Sequence, residues 1–189
     1  MRQVSRICLF SGCFWLVSVV ATAQEVVHAL TGTVSDINLT AKTITIIADD
    51  GSGGTFKDLT NPDTRIDFDK RIRAGTTEVD SFNKKGAYVI VFYFGEGNMR
   101  TAVAVRSLGS GPFIKGQGTV TKFEGRAHLL SIQEGAGKVE PFRIAADTVA
   151  DTGLGIVDGF KFQPQKDDTV QVVATLVNGS ATALFINSM

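Results

Sequence analysis

The sequence predicts an all-β chain made of two small five-to-six-stranded barrels in tandem, following a cleaved leader. Three observations carry that expectation. An uncharged N-terminal run is preceded by basic and followed by small residues, the two halves of the chain match each other at a nearly constant spacing, and apolar residues alternate with period two between glycine-rich turns.

The leader comes first. Arg2 and Arg6 precede an uncharged stretch from Ile7 to Val20, and Ala21-Thr22-Ala23 precede Gln24. A basic start, an apolar middle and small residues at the cut are the pattern of a secretory signal peptide, with cleavage expected after Ala23. The run from Ile7 to Ala23, broken by Ser11, Gly12 and Ser18, falls short of the roughly 20 apolar residues of a spanning helix. A minor alternative is a lipoprotein cut before Cys13. Ser11 and Gly12 suit it, but Phe10 stands where leucine is usual and the apolar run continues past the cysteine. Export would remove Cys8, Cys13, Trp15 and two positive charges, leaving 17 basic and 19 acidic groups. Such a mature chain has no cysteine for a disulfide, a zinc-thiolate site or a nucleophile.

The internal matches come next. Gly32-Thr33-Val34 recurs 86 positions later as Gly118-Thr119-Val120, and the same offset places Ile44 and Ile46 on Leu130 and Ile132, and Phe56 on Phe142. Asp63-Thr64 matches Asp147-Thr148 after a two-residue shortening. At an offset of 81, Val89 and Val91 fall on Val170 and Val172, and Ala102 to Val105 on Ala183 to Ile186. One spacing explaining several separate matches is the mark of a repeat. The joint is Leu108-Gly109-Ser110-Gly111-Pro112, where glycine and proline interrupt regular structure. The expected division is leader 1–23, first barrel 24–110 and second barrel 111–189.

Within the first unit, alternation and β-branched residues predict strands near 30–37, 42–48, 54–59, 87–95 and 99–107, with Thr64-Arg65-Ile66 as a further short segment. The Asn178-Gly179 pair in the second unit is a preferred type I′ hairpin turn. From Phe68 to Lys85 the pattern lapses; Val79 and Phe82 suit one helical turn capped by Thr76 or Thr77. The first strand of each unit breaks parity, since Val34 and Ile37, like Val120 and Phe123, are three apart. A bulge near Asp36 and Lys122 resolves this, and a long bent first strand is how small barrels close.

These motifs, together with Val89-Ile90-Val91 and Ala102-Val103-Ala104-Val105, resemble a bacterial exported β-domain family of OB-like fold and uncharacterised function. The resemblance spans both units and is weaker in the second, where Val149-Ala150 replaces Arg65-Ile66. It implies fold and export. It transfers no catalytic residue.

Candidate chemistry is sparse. His28 and His128 lie a hundred residues apart, and His128 occupies the place of Lys42, where it is expected to face solvent without a second ligand. Asp49-Asp50-Gly51-Ser52-Gly53-Gly54 reads as a hairpin turn, since Thr60 stands where a calcium loop needs its closing glutamate. The repeated Asp-Thr pairs are expected to serve turns. Arg65, Lys70, Arg71, Arg73, Lys84 and Lys85 are interleaved with Phe68 and Phe82, but Asp67, Asp69, Glu78 and Asp80 offset them and argue against nucleic acid. No metal or cofactor is expected.

The informative difference between the units is on the fourth strand. Tyr88, Ile90, Phe92 and Phe94 make its outer face apolar in the first unit, against Thr169, Gln171, Val173 and Thr175 in the second. Leaving such side chains wet would forgo about 1.5–3 kcal/mol each, so this face should be covered. The candidate covers are the 68–82 segment, the second barrel through Phe113, Ile114, Phe160 or Phe162, or a partner protein, a glycan or a lipid surface. The expected function is a non-enzymatic binding or structural module of the cell envelope, periplasmic or extracellular, with an envelope protein or glycan as partner. The alternatives are an envelope hydrolase or sugar-processing protein acting through carboxylates that the sequence does not pair, and an OB-like face for single-stranded nucleic acid or oligosaccharide.

Overall fold

The computed structural model describes residues 25–49, 51, 53–59 and 69–189; the leader with Cys13, and the Asp63-to-Ile66 segment, lie outside them. The alternating residues form β1 (His28–Asn38), β2 (Thr43–Ala48), β3 (Gly54–Asp58), β4 (Tyr88–Phe94) and β5 (Thr101–Gly109). They close a barrel in the order β1-β2-β3-β5-β4, antiparallel throughout except for the parallel β3–β5 pair. The second half supplies β6 (Ile114–Glu124), β7 (Leu129–Gln133), β8 (Val139–Asp151), β9 (Ile156–Asp158), β10 (Thr169–Val177) and β11 (Ser180–Ser188). Its sheet runs β11-β10-β6-β7-β8-β9, and a parallel β11–β8 pairing joins the two sides, giving the same cyclic order. The two units are OB-like barrels, the second with β9 added on β8.

The parity break is accommodated identically in both. The β1–β2 register slips between Val34 and Asp36, and the β6–β7 register between Val120 and Lys122. At each slip a hydroxyl is turned to the partner strand: Ser35 Oγ donates to the Thr45 carbonyl at 3.2 Å and Thr121 Oγ1 to that of Ser131 at 3.1 Å. The strand continues with its other face inward, so Val34 and Ile37 both reach the first core, and Val120 and Phe123 the second. Each barrel fills its own interior, around Phe56, Val89 and Val91 in one and Phe142, Val170 and Val172 in the other.

The stretch before β4 differs from expectation. A four-residue helix α1 (Lys70–Arg73) is capped by the Asp69 carboxylate, which accepts the Arg71 N–H. The turn at Val79–Ser81 is a 3-10 turn entered from Glu78, with no side-chain cap. Neither threonine caps it, because Thr76 Oγ1 donates to the Arg73 carbonyl and Thr77 bridges main chain to main chain with Val105. A 3-10 turn at Gly159–Lys161 takes the corresponding place in the second barrel. Phe82 and Phe162 follow these turns, and each plugs its own barrel.

Candidate functional site

Tyr88, Ile90 and Phe92 alternate with Val89 and Val91 along β4, and so point away from the first barrel's interior. They lie in a third apolar cluster, with Val27, Ala29, Ile72 and Ala104 from their own side and Val149, Val173 and Phe185 from the second barrel. Phe94, at the strand's far end, is half-buried. Phe113 packs on the Tyr88 ring at 4.7 Å between centroids. Of the other covers suggested by sequence, Ile114 and Phe162 belong to the second barrel's own core, and Phe160 is 44% exposed, stacked on His128 at 4.1 Å. His128 is therefore half-buried against a ring instead of facing water freely. Val149, Val173 and Phe185 are contributors that the sequence reading does not name as covers. Between Gln171 and Thr175 on the outer face of β10, Val173 is the one apolar side chain, and it is buried in the seam.

A polar rim surrounds this seam. Lys115 Nζ meets Asp49 Oδ1 at 2.6 Å and lies 4.4 Å over the Tyr88 ring. The Tyr88 hydroxyl and Thr31 Oγ1 both donate to Asp49 Oδ2. Desolvation, and then the bond to the Asp49 carboxylate, hold the Tyr88 hydroxyl well above its usual range. On another side, Asp151 accepts the Ala29 N–H at 2.7 Å and lies 3.3 Å from His28 Nδ1. Arg106 spans the seam, donating to the Asp147 carbonyl and the Ile72 carbonyl. Lys161 reaches Asp69 at 2.7 Å and Asp158 at 3.2 Å. Charged groups aimed at one another from both barrels fix their orientation while the apolar cluster supplies the burial.

Two surface grooves lined by described residues bear on function. One, of about 360 Å³, crosses the seam and is lined by Asp49, Lys115, Gln117, Glu134 and Gln171. Its carboxylates are already engaged: Asp49 as above, and Glu134 Oε1 by the Gln117 N–H at 3.0 Å. The other, of about 370 Å³, lies in the second barrel between β8 and β11, where Leu129, Glu140, Phe142, Leu176 and Ala181 are among its walls.

The second groove has a closed counterpart. Among the described residues of the first barrel β3 and β5 pair at Lys57↔Thr101 and Asp58↔Ala102; β8 and β11 begin their pairing at the matching Arg143↔Thr182 and Ile144↔Ala183. Before these pairs the strands part. The first barrel fills the gap itself. Its β4–β5 loop, with Gly95 and Gly97 at φ +82° and +56°, turns into a 3-10 turn at Gly97–Met99 that packs on β3. The Arg100 guanidinium then lies 5.0 Å over the Phe56 ring and 5.7 Å over Tyr93. A Cβ on Gly54 would stand 3.2 Å from Arg100 Nη2. In the second barrel the loop of equal length is a tight turn at Asn178 and Gly179, φ +51° and +78°, so β10 and β11 run on to Val177 and Ser180. Register for register, Phe142 keeps the place of Phe56, but Ala174 replaces Tyr93, Ala181 replaces Arg100 and Glu140 replaces Gly54.

The remaining sequence candidates are structural or lie elsewhere. Thr148 is buried, donating to the Ala183 carbonyl and accepting the Ala145 N–H; Asp63 and Thr64 are outside the described residues. Phe82, offered as a stacking ring, is 4% exposed and in the core, while Arg65 and Phe68 are not described. Burial and then the charge of Asp80 raise the Asp58 carboxyl above its usual range, but neither groove is lined by it. Among the described residues no group of three His, Cys, Asp or Glu is placed to hold a metal, and no helix is long and apolar enough to cross a membrane. No protein-family model matches the sequence, and no curated protein does.

Proposed function

We propose that the chain is an exported, non-enzymatic binding module of the cell envelope, derived by duplication of one barrel, in which the first barrel is a docked scaffold and the second carries the ligand site. The leader pattern supports export. Shared strand order and shared bulges support duplication. The observation that carries the binding assignment is the β8–β11 groove, left open where the first barrel's equivalent is filled by Arg100. The apolar face of β4 is occupied by the second barrel, so it offers no comparable surface.

The test is capture from envelope extract with the chain lacking only its leader, beside Ala181→Arg, which rebuilds the first barrel's plug. Ligand retained by the parent and lost by Ala181→Arg, with melting unchanged, is the expected result. Equal capture by both removes the groove from the function. A second reading, a sugar-processing hydrolase, draws on Asp49 and Glu134 sharing the seam groove. Hydrolysis of envelope glycan that disappears in both Asp49→Asn and Glu134→Gln would replace the binding assignment. The existing partners of both carboxylates make that the weaker reading.

A further inference from the structure

We propose that the β8–β11 cleft receives an arginine side chain presented by an extended segment of a partner protein; this rests on the second barrel being the ligand-bearing one.

The first barrel shows what fits such a cleft. Its own occupant is an arginine, with the guanidinium over an aromatic ring and beside a position kept small by Gly54. Planar guanidinium over a ring is a favourable electrostatic contact, strengthened where water is excluded. The second barrel has lost that occupant, since Ala181 stands for Arg100, and at the place of Gly54 it has gained a carboxylate, Glu140. The two replacements are complementary: the cation has gone from the chain and an anion now faces where it stood.

Glu140 shares the inward parity of Phe142 and Ile144 along β8 and is half-buried. Among the described residues its carboxylate has neither an ion-pair nor a hydrogen-bond partner. A partly dehydrated carboxylate gains most from a cation that brings several N–H donors in a plane. Leu176, 60% exposed, and the half-buried Leu129 offer apolar walls for the methylene stem of an arginine, and Ile114 and Phe142 form the floor. Lys138 and Arg143 also border the groove, so a segment carrying an acidic residue beside its arginine is matched better than a purely basic one. The segment is extended because both walls are strand edges, unpaired with each other before Arg143 and Thr182, which suits main-chain pairing with an added strand.

The probe is a labelled nine-residue peptide of alternating valine and threonine, with a central arginine and one glutamate, titrated against the chain lacking its leader. Replacing the arginine by citrulline, equal in shape but uncharged, or making Glu140→Gln, is expected to weaken binding by about tenfold or more. Ala181→Arg is expected to abolish it while the melting temperature holds or rises, which separates a filled cleft from a damaged fold. Equal affinity for the citrulline peptide, or no change in Glu140→Gln, overturns the proposal. If Ala181→Arg blocks capture from envelope extract yet the arginine peptide does not bind, or glycan fragments bind in its place, the arginine assignment falls and the groove assignment stands. If capture ignores Ala181→Arg, both fall.

Discussion

The two barrels share cyclic strand order, first-strand bulge and even the register slip on the fourth strand, between Phe92 and Tyr93 in one and Val173 and Ala174 in the other. They differ in what each does with its surface. The first gives the outer face of β4 to the seam and closes the β3–β5 gap with Arg100; the second keeps a mostly polar outer face on β10 and leaves the matching gap open. One backbone thus serves two ends, and the choice is made by a handful of side chains and the conformation of one equal-length loop.

The largest expected break in this comparison comes from separating the barrels. Residues 24–110 alone expose Tyr88, Ile90 and Phe92, at about 1.5–3 kcal/mol each, and should precipitate or bind hydrophobic dye strongly. Residues 111–189 expose Val149, Val173 and Phe185, fewer apolar groups, and should stay soluble with weaker dye binding. A dye-silent first barrel would contradict the seam as its required cover.

Next is Phe92→Ala in the whole chain. Deleting a fully buried ring from the seam should cost about 3–5 kcal/mol in denaturant unfolding, with Val173→Ala opposite it costing less. Similar small losses at both would mean the two faces contribute equally. Arg100→Ala should cost about 1–2 kcal/mol and open a groove in the first barrel like that of the second. No loss of stability would mean that the guanidinium does not fill that gap in solution.

Titration separates the rim from the seam. Tyr88 has a raised folded value, so its contribution is complete below the free tyrosine value near 10 and is lost as pH rises through the folded one. Tyrosinate absorbance should therefore show Tyr88, identified by its loss in Tyr88→Phe, ionising well after a free tyrosine does. Two ordinary titrations would show Tyr88 to be hydrated. The smallest effect belongs to Asp69, lowered first by its bond to Lys161 and then by the Arg71 N–H. Its contribution is present above the free carboxylate value near 4 and fades as pH falls through the folded value. Lys161→Met should flatten that acid limb slightly, and an unchanged limb would show the exposed pair to be inert.

Much of the fold is legible in the sequence because period-two alternation and its fault in the first strand of each barrel are local. Val34 and Ile37 cannot both point inward without a bulge, and Val120 and Phe123 repeat the fault. The apolar outer face of β4 was legible for the same reason. Part of its cover was legible too, since Ile72 of the 68–82 segment and Phe113 both pack there; the rest was not, because Val149, Val173 and Phe185 lie on three strands brought together only by closure of the second barrel. The cleft was hidden more deeply. Gly54 and Arg100 meet through the parallel β3–β5 pairing, so their joint replacement by Glu140 and Ala181 shows only once registers are known. The turn at Val79 and Phe82 is legible, but the absence of a threonine cap is not, because Thr77 takes a main-chain partner, Val105, from a distant strand.

One detail of the seam bears on how the molecule comes together. The Val27 carbonyl accepts the Ile156 N–H, and the Ala29 N–H is held by Asp151, 122 residues along the chain. A polypeptide leaves the ribosome from its N-terminal end, so Val27 and Ala29, just before and within the start of β1, are made earlier and yet obtain these partners only after β8 and β9 have been synthesised. The order of synthesis and the order of completion therefore run in opposite directions, and the start of the first barrel is sealed by the middle of the second.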